Sequence, residues 1–165
     1  MTIHKATTIA DIQTVEKLAH KIWNAHYVPI IGQNQVDFML EKFQSFDAIT
    51  SQIKNGYDYF LISDAKNAVG YLCLVYDDSK KKLMISKIYI DAQKRGAGFG
   101  QQLIDFTIHL AQEKKMKIIW LTVNKNNSNS IKWYQKLNFK ITNEVVMDIG
   151  NNFVMDDYIM ELQLN

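Results

Sequence analysis

The feature that most constrains this chain is a glycine-rich turn between a short β-branched run and an amphipathic segment. The turn consists of Arg95, Gly96, Ala97, Gly98, Phe99 and Gly100. Three glycines within five positions let the backbone N–H groups point inward, with no Cβ to block a ligand. At the start of a helix, such donors and the positive end of the helix dipole favour an anion. The sequence therefore predicts a strand, a turn that binds a phosphate-bearing cofactor, and a helix.

The spacing of these glycines argues against two common nucleotide sites. A dinucleotide-binding turn requires a further glycine three residues after Gly98, where this chain has Gln101. The phosphate loop of nucleotide hydrolases requires Gly-Lys followed by Ser or Thr, a sequence that this chain lacks. A nucleotide-binding regulator is therefore a weaker hypothesis than a protein that binds another phosphate-bearing cofactor.

The glycine turn and a second motif, about thirty residues after it, both resemble signatures of one superfamily. The pattern Arg95-x-x-Gly98-x-Gly100 resembles the acyl-CoA signature of the GNAT superfamily of N-acyltransferases. Residues 127–139 resemble the Asn-x-x-Ala-x-x-x-Tyr-x-x-x-Gly-Phe segment of the same superfamily, with Ser130 for the alanine and Asn138 for the glycine. Asparagine is the next-best residue for a left-handed helix cap. On these two motifs, the chain is identified as a member of this superfamily over about residues 60–164.

The resemblance implies a single α/β (α+β) domain over residues 1–165. It implies a mixed, mostly antiparallel sheet of six to seven strands, with helices on both faces and a splayed cofactor cleft. Residue periodicity places the elements. The predicted helices run from the Thr8 cap to before Pro29 and over residues 33–43, 47–54, 98–115 and 128–137, and the predicted strands cover residues 2–5, 57–63, 69–76, 82–90, 118–123, 139–148 and 153–164.

Composition limits the function classes. The 165 residues are 47% hydrophobic and 22% charged, as in ordinary globular domains. A net charge of +2 is too small to argue for nucleic acid, and no run of about 18 apolar residues predicts a membrane span. The single Cys73 excludes an internal disulfide, and its alternating context predicts a buried thiol. The histidines show no metal-ligand spacing, so we expect no metal. The single cysteine and the lack of an apolar N-terminal segment predict a cytoplasmic protein.

The resemblance also implies roles for individual residues. Acetyl-CoA is the implied co-substrate, bound by main-chain groups of residues 88–90 along the pantetheine arm and by the glycine turn at the pyrophosphate. The implied cofactor-binding residues are Ile88, Tyr89, Ile90, Arg95, Gly96, Ala97, Gly98, Phe99, Gly100, Gln101 and Asn127. Tyr134 is the implied general acid, because a phenol with an ordinary pKa of about 10 stays protonated at neutral pH and can protonate a departing thiolate.

The sequence leaves open which residue accepts the proton of the attacking amine. Many relatives have a glutamate on the strand before the glycine turn or at the end of the next strand, where this chain has Ser86 and Thr122. Neither side chain can act as a base. Two alternatives remain: a water relay, or a side chain from elsewhere, for which the candidates are Asp156, Asp157, His26 and Asp37. The two adjacent aspartates point to opposite faces of the last strand, so at most one of them faces the cleft.

Aromatic and acidic residues indicate the acceptor. The predicted acceptor-binding residues are Trp23, His26, Tyr27 and Asp157, a combination that suits a cation. Trp23 also fits a core position by its helical register. The resemblance implies an N-acetyltransferase in which a primary amine of a small molecule, such as a polyamine or an amino-acid derivative, attacks the acetyl-CoA thioester directly. The alternatives are a protein N-terminal or lysine acetyltransferase and a non-catalytic acyl-CoA-binding sensor. A homodimer through the last strands or the N-terminal helices is compatible with the resemblance.

Overall fold

The computed structural model describes residues 1–165 and contains seven strands and five α-helices. The strands are β1 (Thr2–Lys5), β2 (Asp58–Asp64), β3 (Asn67–Asp77), β4 (Lys82–Ile90), β5 (Ile118–Asn124), β6 (Lys140–Gly150) and β7 (Phe153–Gln163). The helices are α1 (Ile9–Ile31), α2 (Gln33–Gln44), α3 (Phe46–Lys54), α4 (Phe99–Glu113) and α5 (Ser128–Lys136), and a short 3₁₀ turn covers Ala92–Lys94. None of these helices combines the length and the apolar character that crossing a bilayer demands.

All seven strands belong to one sheet, in the order β1-β2-β3-β4-β5-β7-β6. β4 and β5 are parallel, whereas β1–β2, β2–β3, β5–β7 and β6–β7 are antiparallel pairs. The predicted fold class is therefore confirmed. The pairing of β4 with β5 covers Lys82–Met84 and Ile118–Trp120. On its other edge, β5 remains paired with β7 as far as Asn124.

The chain divides into two compact units. The first unit contains Met1–Val75 and Ser86–His109, and the second contains Tyr76–Ile85 and Leu110–Asn165. Fully buried side chains in the first unit include Val15, Ile49, Tyr59, Tyr71 and Leu103, and those in the second unit include Leu83, Ile119 and Met160. Removal of such apolar surface from water is the main force that stabilises each unit.

Helix α1 is longer than its sequence predicts. The predicted capping box is present at its start, where Asp11 N donates to Thr8 Oγ1 and Thr8 N donates to the Asp11 carboxylate. The prediction that α1 ends before Pro29 is wrong, because the helix continues to Ile31. Pro29 lies in the last turn and lacks an N–H donor, so the helix loses only one backbone hydrogen bond, close to its exposed end. The helix ends at Gly32, whose φ is +83°.

Gly70 in β3 lies where a larger residue would collide with β4. An ideal Cβ at this position would be 2.5 Å from both the Tyr89 carbonyl oxygen and Ile90 Cδ1. Because the carbonyl belongs to the backbone, it cannot rotate away. We expect Gly70→Ala to lower the free energy of unfolding by about 1–3 kcal/mol, measured by urea denaturation.

A glycine in open space provides the control for Gly70. Gly32 has a positive φ, but no atom lies within 4 Å of its ideal Cβ. Gly32→Ala therefore adds backbone strain without a collision. Acetyl-CoA binding and the amide resonances of residues 89–90 are compared in the two variants. If they change no more in Gly70→Ala than in Gly32→Ala, the close approach of β4 does not require glycine at position 70.

Candidate active site

The predicted phosphate-binding turn lies in the first unit, directly before α4. Gly96 and Gly98 have φ values of +80° and +85°, in the region that side chains rarely adopt. An ideal Cβ at either position would have no atom within 4 Å, and residues 95–98 are exposed. Since α4 begins at Phe99, the N–H groups of its first turn have no acceptor within the helix. The turn thus offers open space and backbone donors that fit a pyrophosphate.

Two basic side chains hold the start of this turn. Arg95 Nε donates to the Ile90 carbonyl oxygen at the end of β4, at 3.3 Å. Lys94 Nζ lies 2.8 Å from Asp64 Oδ2 and lowers the pKa of that carboxyl group. Gln101 is exposed on the first turn of α4. Contacts with β2 and β4 therefore hold Lys94 and Arg95 beside the exposed N–H donors of the turn.

Five aromatic side chains, called here the aromatic cluster, lie together in the first unit: Trp23, His26, Tyr27, Tyr71 and Tyr89. Ring centroids of Trp23 are 4.9 Å from Tyr27 and 5.5 Å from Tyr89. The hydroxyls of Tyr27 and Tyr89 are 3.3 Å apart, and Trp23 Nε1 donates to the Tyr71 hydroxyl at 3.1 Å. Trp23 is buried, whereas His26, Tyr27 and Tyr89 are half-buried. Three predicted acceptor residues thus adjoin one predicted cofactor residue.

Lys87 is a buried lysine on β4, directly before residues 88–90, and sequence reasoning did not identify it. Its Nζ donates to Phe43 O at 3.1 Å, to Gln52 Oε1 at 2.6 Å and to the Tyr59 hydroxyl. Burial lowers the pKa of Lys87 from 10.5 to about 8. The only sequence signal was that Lys87 occupies an inward position of an otherwise apolar alternation. This lysine ties β4 to α2, α3 and β2.

Lys87→Met tests whether the buried Lys87 is charged, through the pH dependence of the free energy of unfolding. The partners remain satisfied in the variant, because the Tyr59 hydroxyl donates to Gln52 Oε1 and Gln52 Nε2 donates to Phe43 O. The pKa of Lys87 is lower in the folded chain, about 8, than its ordinary 10.5, so the unfolded chain binds more protons between these values. The stability of wild type relative to Lys87→Met should therefore be constant below pH 8 and rise between pH 8 and 10.5, measured by urea denaturation.

Comparison of the two proteins at each pH cancels the titration of groups that both contain. The difference in free energy of unfolding between wild type and Lys87→Met should thus rise between pH 8 and 10.5. A difference that stays constant or falls over this range would contradict a Lys87 whose charge destabilises the folded chain.

Two predicted site residues lie on α5 in the second unit. Asn127 caps this helix, with Oδ1 accepting from Ser130 N at 3.4 Å, and is 4% exposed. Tyr134 is 7% exposed, and its ring centroid lies 5.0 Å from Trp133 and 5.7 Å from Phe139. The packing holds the Tyr134 ring in one place, as a positioned proton donor requires.

The structure distinguishes the two adjacent aspartates of β7. Asp156 is exposed and lies 2.7 Å from Lys125 Nζ, which also lies 2.7 Å from Glu144. Asp157 is 2% exposed, and its Oδ1 has no hydrogen-bond partner. Burial raises the pKa of Asp157 to about 6, although a hydrogen bond with Thr122 acts in the opposite direction. Only Asp157 is therefore a buried carboxyl group with an unused acceptor.

The remaining candidates for the base differ in their surroundings. Asp37 is exposed on α2, where its Oδ1 accepts from Gln33 Nε2 at 2.8 Å. Ser86 is half-buried and interacts with the Cys73 thiol. The predicted burial of Cys73 is confirmed, and burial raises its pKa to about 12. The thiol is therefore a poor nucleophile at neutral pH.

A parallel strand pair that leads into a glycine turn and a helix is the architecture expected from the two motifs. Comparison with known proteins agrees: residues 18–139 match the model of the Acetyltransferase (GNAT) family. The chain belongs to this family, and the predicted superfamily is thereby confirmed.

Individual relatives match in sequence or in structure. The spermine/spermidine N(1)-acetyltransferase of Bacillus subtilis (strain 168) is 32% identical over 83 residues, 48% of this chain. The chain spans about half the length of the curated relatives it matches, 53% in this case. The PaiA N-acetyltransferase of Thermoplasma acidophilum, solved with coenzyme A, is similar in fold, with a TM-score of 0.82, 18% identity, and coverage of 99% of this chain and 100% of that one. The ribosomal-protein-S18-alanine N-acetyltransferase of Escherichia coli gives a TM-score of 0.74, 16% identity, and coverage of 98% and 92%.

Proposed function

We propose that this protein transfers an acetyl group from acetyl-CoA to a primary amine of a small cationic molecule, such as a polyamine or an amino-acid derivative. The observation that carries the proposal is the glycine turn before α4 in a member of the acetyltransferase family. Its positive φ values and the open space at both glycines fit a bound pyrophosphate.

Main-chain groups of β4 and of the glycine turn bind the cofactor in this proposal. The N–H and C=O groups of Ile88, Tyr89 and Ile90 bind the pantetheine amides as if the arm were an added strand. Residues 95–101 bind the pyrophosphate through the N–H groups of the turn and the first turn of α4. One N–H of the β4 segment donates to the thioester carbonyl oxygen, where negative charge develops during attack.

Tyr134 is the proton donor in this proposal. Tyr134 donates its hydroxyl proton to the sulfur that leaves as the carbon–sulfur bond breaks. Asn127 holds the start of α5 and so fixes the helix that carries Tyr134. Burial of the tyrosine ring limits its rotamers, which keeps the hydroxyl in position for transfer.

The aromatic cluster supports a cationic acceptor. The half-buried rings of Tyr27 and Tyr89 beside Trp23 are of the aromatic types whose faces attract an ammonium group. The Bacillus subtilis relative is a spermine/spermidine N(1)-acetyltransferase, which agrees with such an acceptor. We propose that these aromatic residues bind the hydrocarbon and distal ammonium groups of the acceptor.

An acceptor panel tests the proposal. Release of free CoA thiol from acetyl-CoA is followed with spermidine, spermine, putrescine, single amino acids and short peptides. We expect polyamines or amino-acid derivatives to be acetylated with higher kcat/KM than any peptide. Acetylation confined to peptides would replace this function with a protein acetyltransferase. Acetyl-CoA binding without release for any acceptor would favour a sensor.

A further inference from the structure

Acetyl transfer to an amine needs a proton acceptor that the family positions do not supply here. An alkyl ammonium has an ordinary pKa of about 10.4, so it holds its proton at neutral pH and cannot attack. Ser86 and Thr122 stand at the positions where the resemblance implies a carboxylate, and neither can accept the proton. The base must therefore come from elsewhere in the fold.

Asp157 is buried and has an unused hydrogen-bond acceptor, as a catalytic base requires. It is 2% exposed, and its Oδ1 is a buried acceptor without a partner. A buried polar atom without a partner in the protein is costly, and a catalytic role is one of the reasons for which native proteins keep such an atom. The neighbouring Asp156 provides the contrast, because it is exposed and paired with Lys125.

The position of Asp157 in the sheet places it at the carboxyl end of β5. Across the sheet, it is opposite Asn124, the last residue of β5, and opposite Val145 on β6. The pairing of β4 with β5 has ended by then, at Trp120. In open α/β sheets, ligands bind outside the carboxyl ends of the parallel strands. The chain also continues from this end of β5 into α5, the helix that carries Tyr134.

We propose that Asp157 is the catalytic base, whose Oδ1 accepts a proton from the ammonium group of the acceptor. The proposal rests on the proposed function. Asp157 takes one proton, and the freed lone pair of the nitrogen forms the C–N bond to the thioester carbon. The carbonyl π pair moves to oxygen and then returns as the C–S bond breaks with its electron pair on sulfur.

Two protons leave the nitrogen in this step. The first passes through Asp157 to solvent, and the second restores Tyr134 after this tyrosine has protonated the sulfur. The products are the N-acetylated amine, CoA thiol and one released proton, so the reaction balances without a further reactant.

The surroundings of Asp157 make it a better base than an ordinary carboxylate. Burial raises its pKa to about 6, and the nearby charge of Asp156 acts in the same direction, while Thr122 and Lys125 act against it. Its strand partners Asn124 and Val145 carry no titratable group. The carboxylate is therefore mostly ionised at neutral pH, and activity should rise as pH increases through about 6.

Asp157→Asn and its neighbour Asp156→Asn form a matched pair that tests the proposal with spermidine as acceptor. We expect Asp157→Asn to lose on the order of 10²-fold in kcat/KM at neutral pH, and to lose the acid limb near pH 6. Asp156→Asn should stay within about threefold of wild type and keep this limb. Asp157→Glu should restore part of the activity with a shifted limb, which a purely structural role would not produce.

Two further measurements separate the failure of this proposal from failure of the proposed function. Carbon-13 NMR of the aspartate carboxyl groups, assigned through Asp157→Asn, should show a resonance that titrates near 6. Calorimetry should show acetyl-CoA binding to Asp157→Asn within about twofold of wild type. If wild type acetylates spermidine and Asp157→Asn keeps its rate, or loses it without a change in pH profile, only the Asp157 proposal is overturned. If wild type acetylates no amine, the proposed function is overturned as well.

Discussion

Tyr134→Phe should lower kcat by on the order of 10² to 10³-fold while the affinity for acetyl-CoA stays within about twofold of wild type. The substitution removes one hydroxyl and keeps the ring, whose contacts with Trp133 and Phe139 hold α5. If the hydroxyl protonates the leaving thiolate, its loss affects the transition state and not the bound ground state, so kcat and kcat/KM fall together. Steady-state kinetics over a range of pH and calorimetric binding of acetyl-CoA measure both quantities.

Tyr76→Phe is the matched control for this variant. Tyr76 is a half-buried tyrosine of β3 in the same unit, and its ring lies 4.8 Å from Lys114 Nζ. It has no place in the proposed chemistry, so its variant should retain the wild-type kcat. A Tyr134→Phe enzyme with kcat within about twofold of wild type and an unchanged pH profile would remove the general-acid role from Tyr134.

Gly98→Val should weaken acetyl-CoA binding by on the order of 10²-fold. The wild-type residue has φ +85° and open space around its ideal Cβ, so a side chain there collides with nothing in the protein itself. It would instead occupy the space in which we propose that the pyrophosphate approaches the N–H donors of the turn. Loss of one or two hydrogen bonds to a charged group costs about 1.5–3 kcal/mol each, which sets the size of the effect.

Gly56→Val separates ligand exclusion from backbone strain. Gly56 follows α3 with φ +89°, and its ideal Cβ also has no atom within 4 Å. Both variants should lose similar stability, about 1–3 kcal/mol, because both force a β-branched residue into a region that suits glycine. Only Gly98→Val should change acetyl-CoA binding, measured by calorimetry. Equal affinities in the two variants would contradict a phosphate site at the turn.

Local sequence signals predicted most of the fold. β1 and β4 have the predicted bounds, Thr2–Lys5 and Lys82–Ile90, because alternation and turn residues define both ends. The predicted end of α1 before Pro29 was wrong, since proline near a helix end removes only one donor. The signal that ends α1 is Gly32, which adopts a positive φ.

Side-chain environments were less predictable than strands and helices. Alternation placed Asp156 and Asp157 on opposite faces, but which of them is buried depends on the register of β7 against β5, a long-range property. The burial of Lys87 depends in the same way on Phe43 and Gln52, which come from distant helices. Sequence motifs thus indicated the glycine turn and Tyr134, whereas the candidate base needed tertiary structure.

The measurement that tests the central claim most directly is joint detection of both products. Purified protein is incubated with acetyl-CoA and spermidine, free thiol is titrated, and the amine is examined by mass spectrometry. The proposed function predicts N-acetylspermidine and free CoA in equal amounts, with both reduced together in Tyr134→Phe. Tight binding of acetyl-CoA with no acetylated product from spermidine, from the other amines or from peptides would contradict an N-acetyltransferase and leave a protein that binds acyl-CoA without turnover.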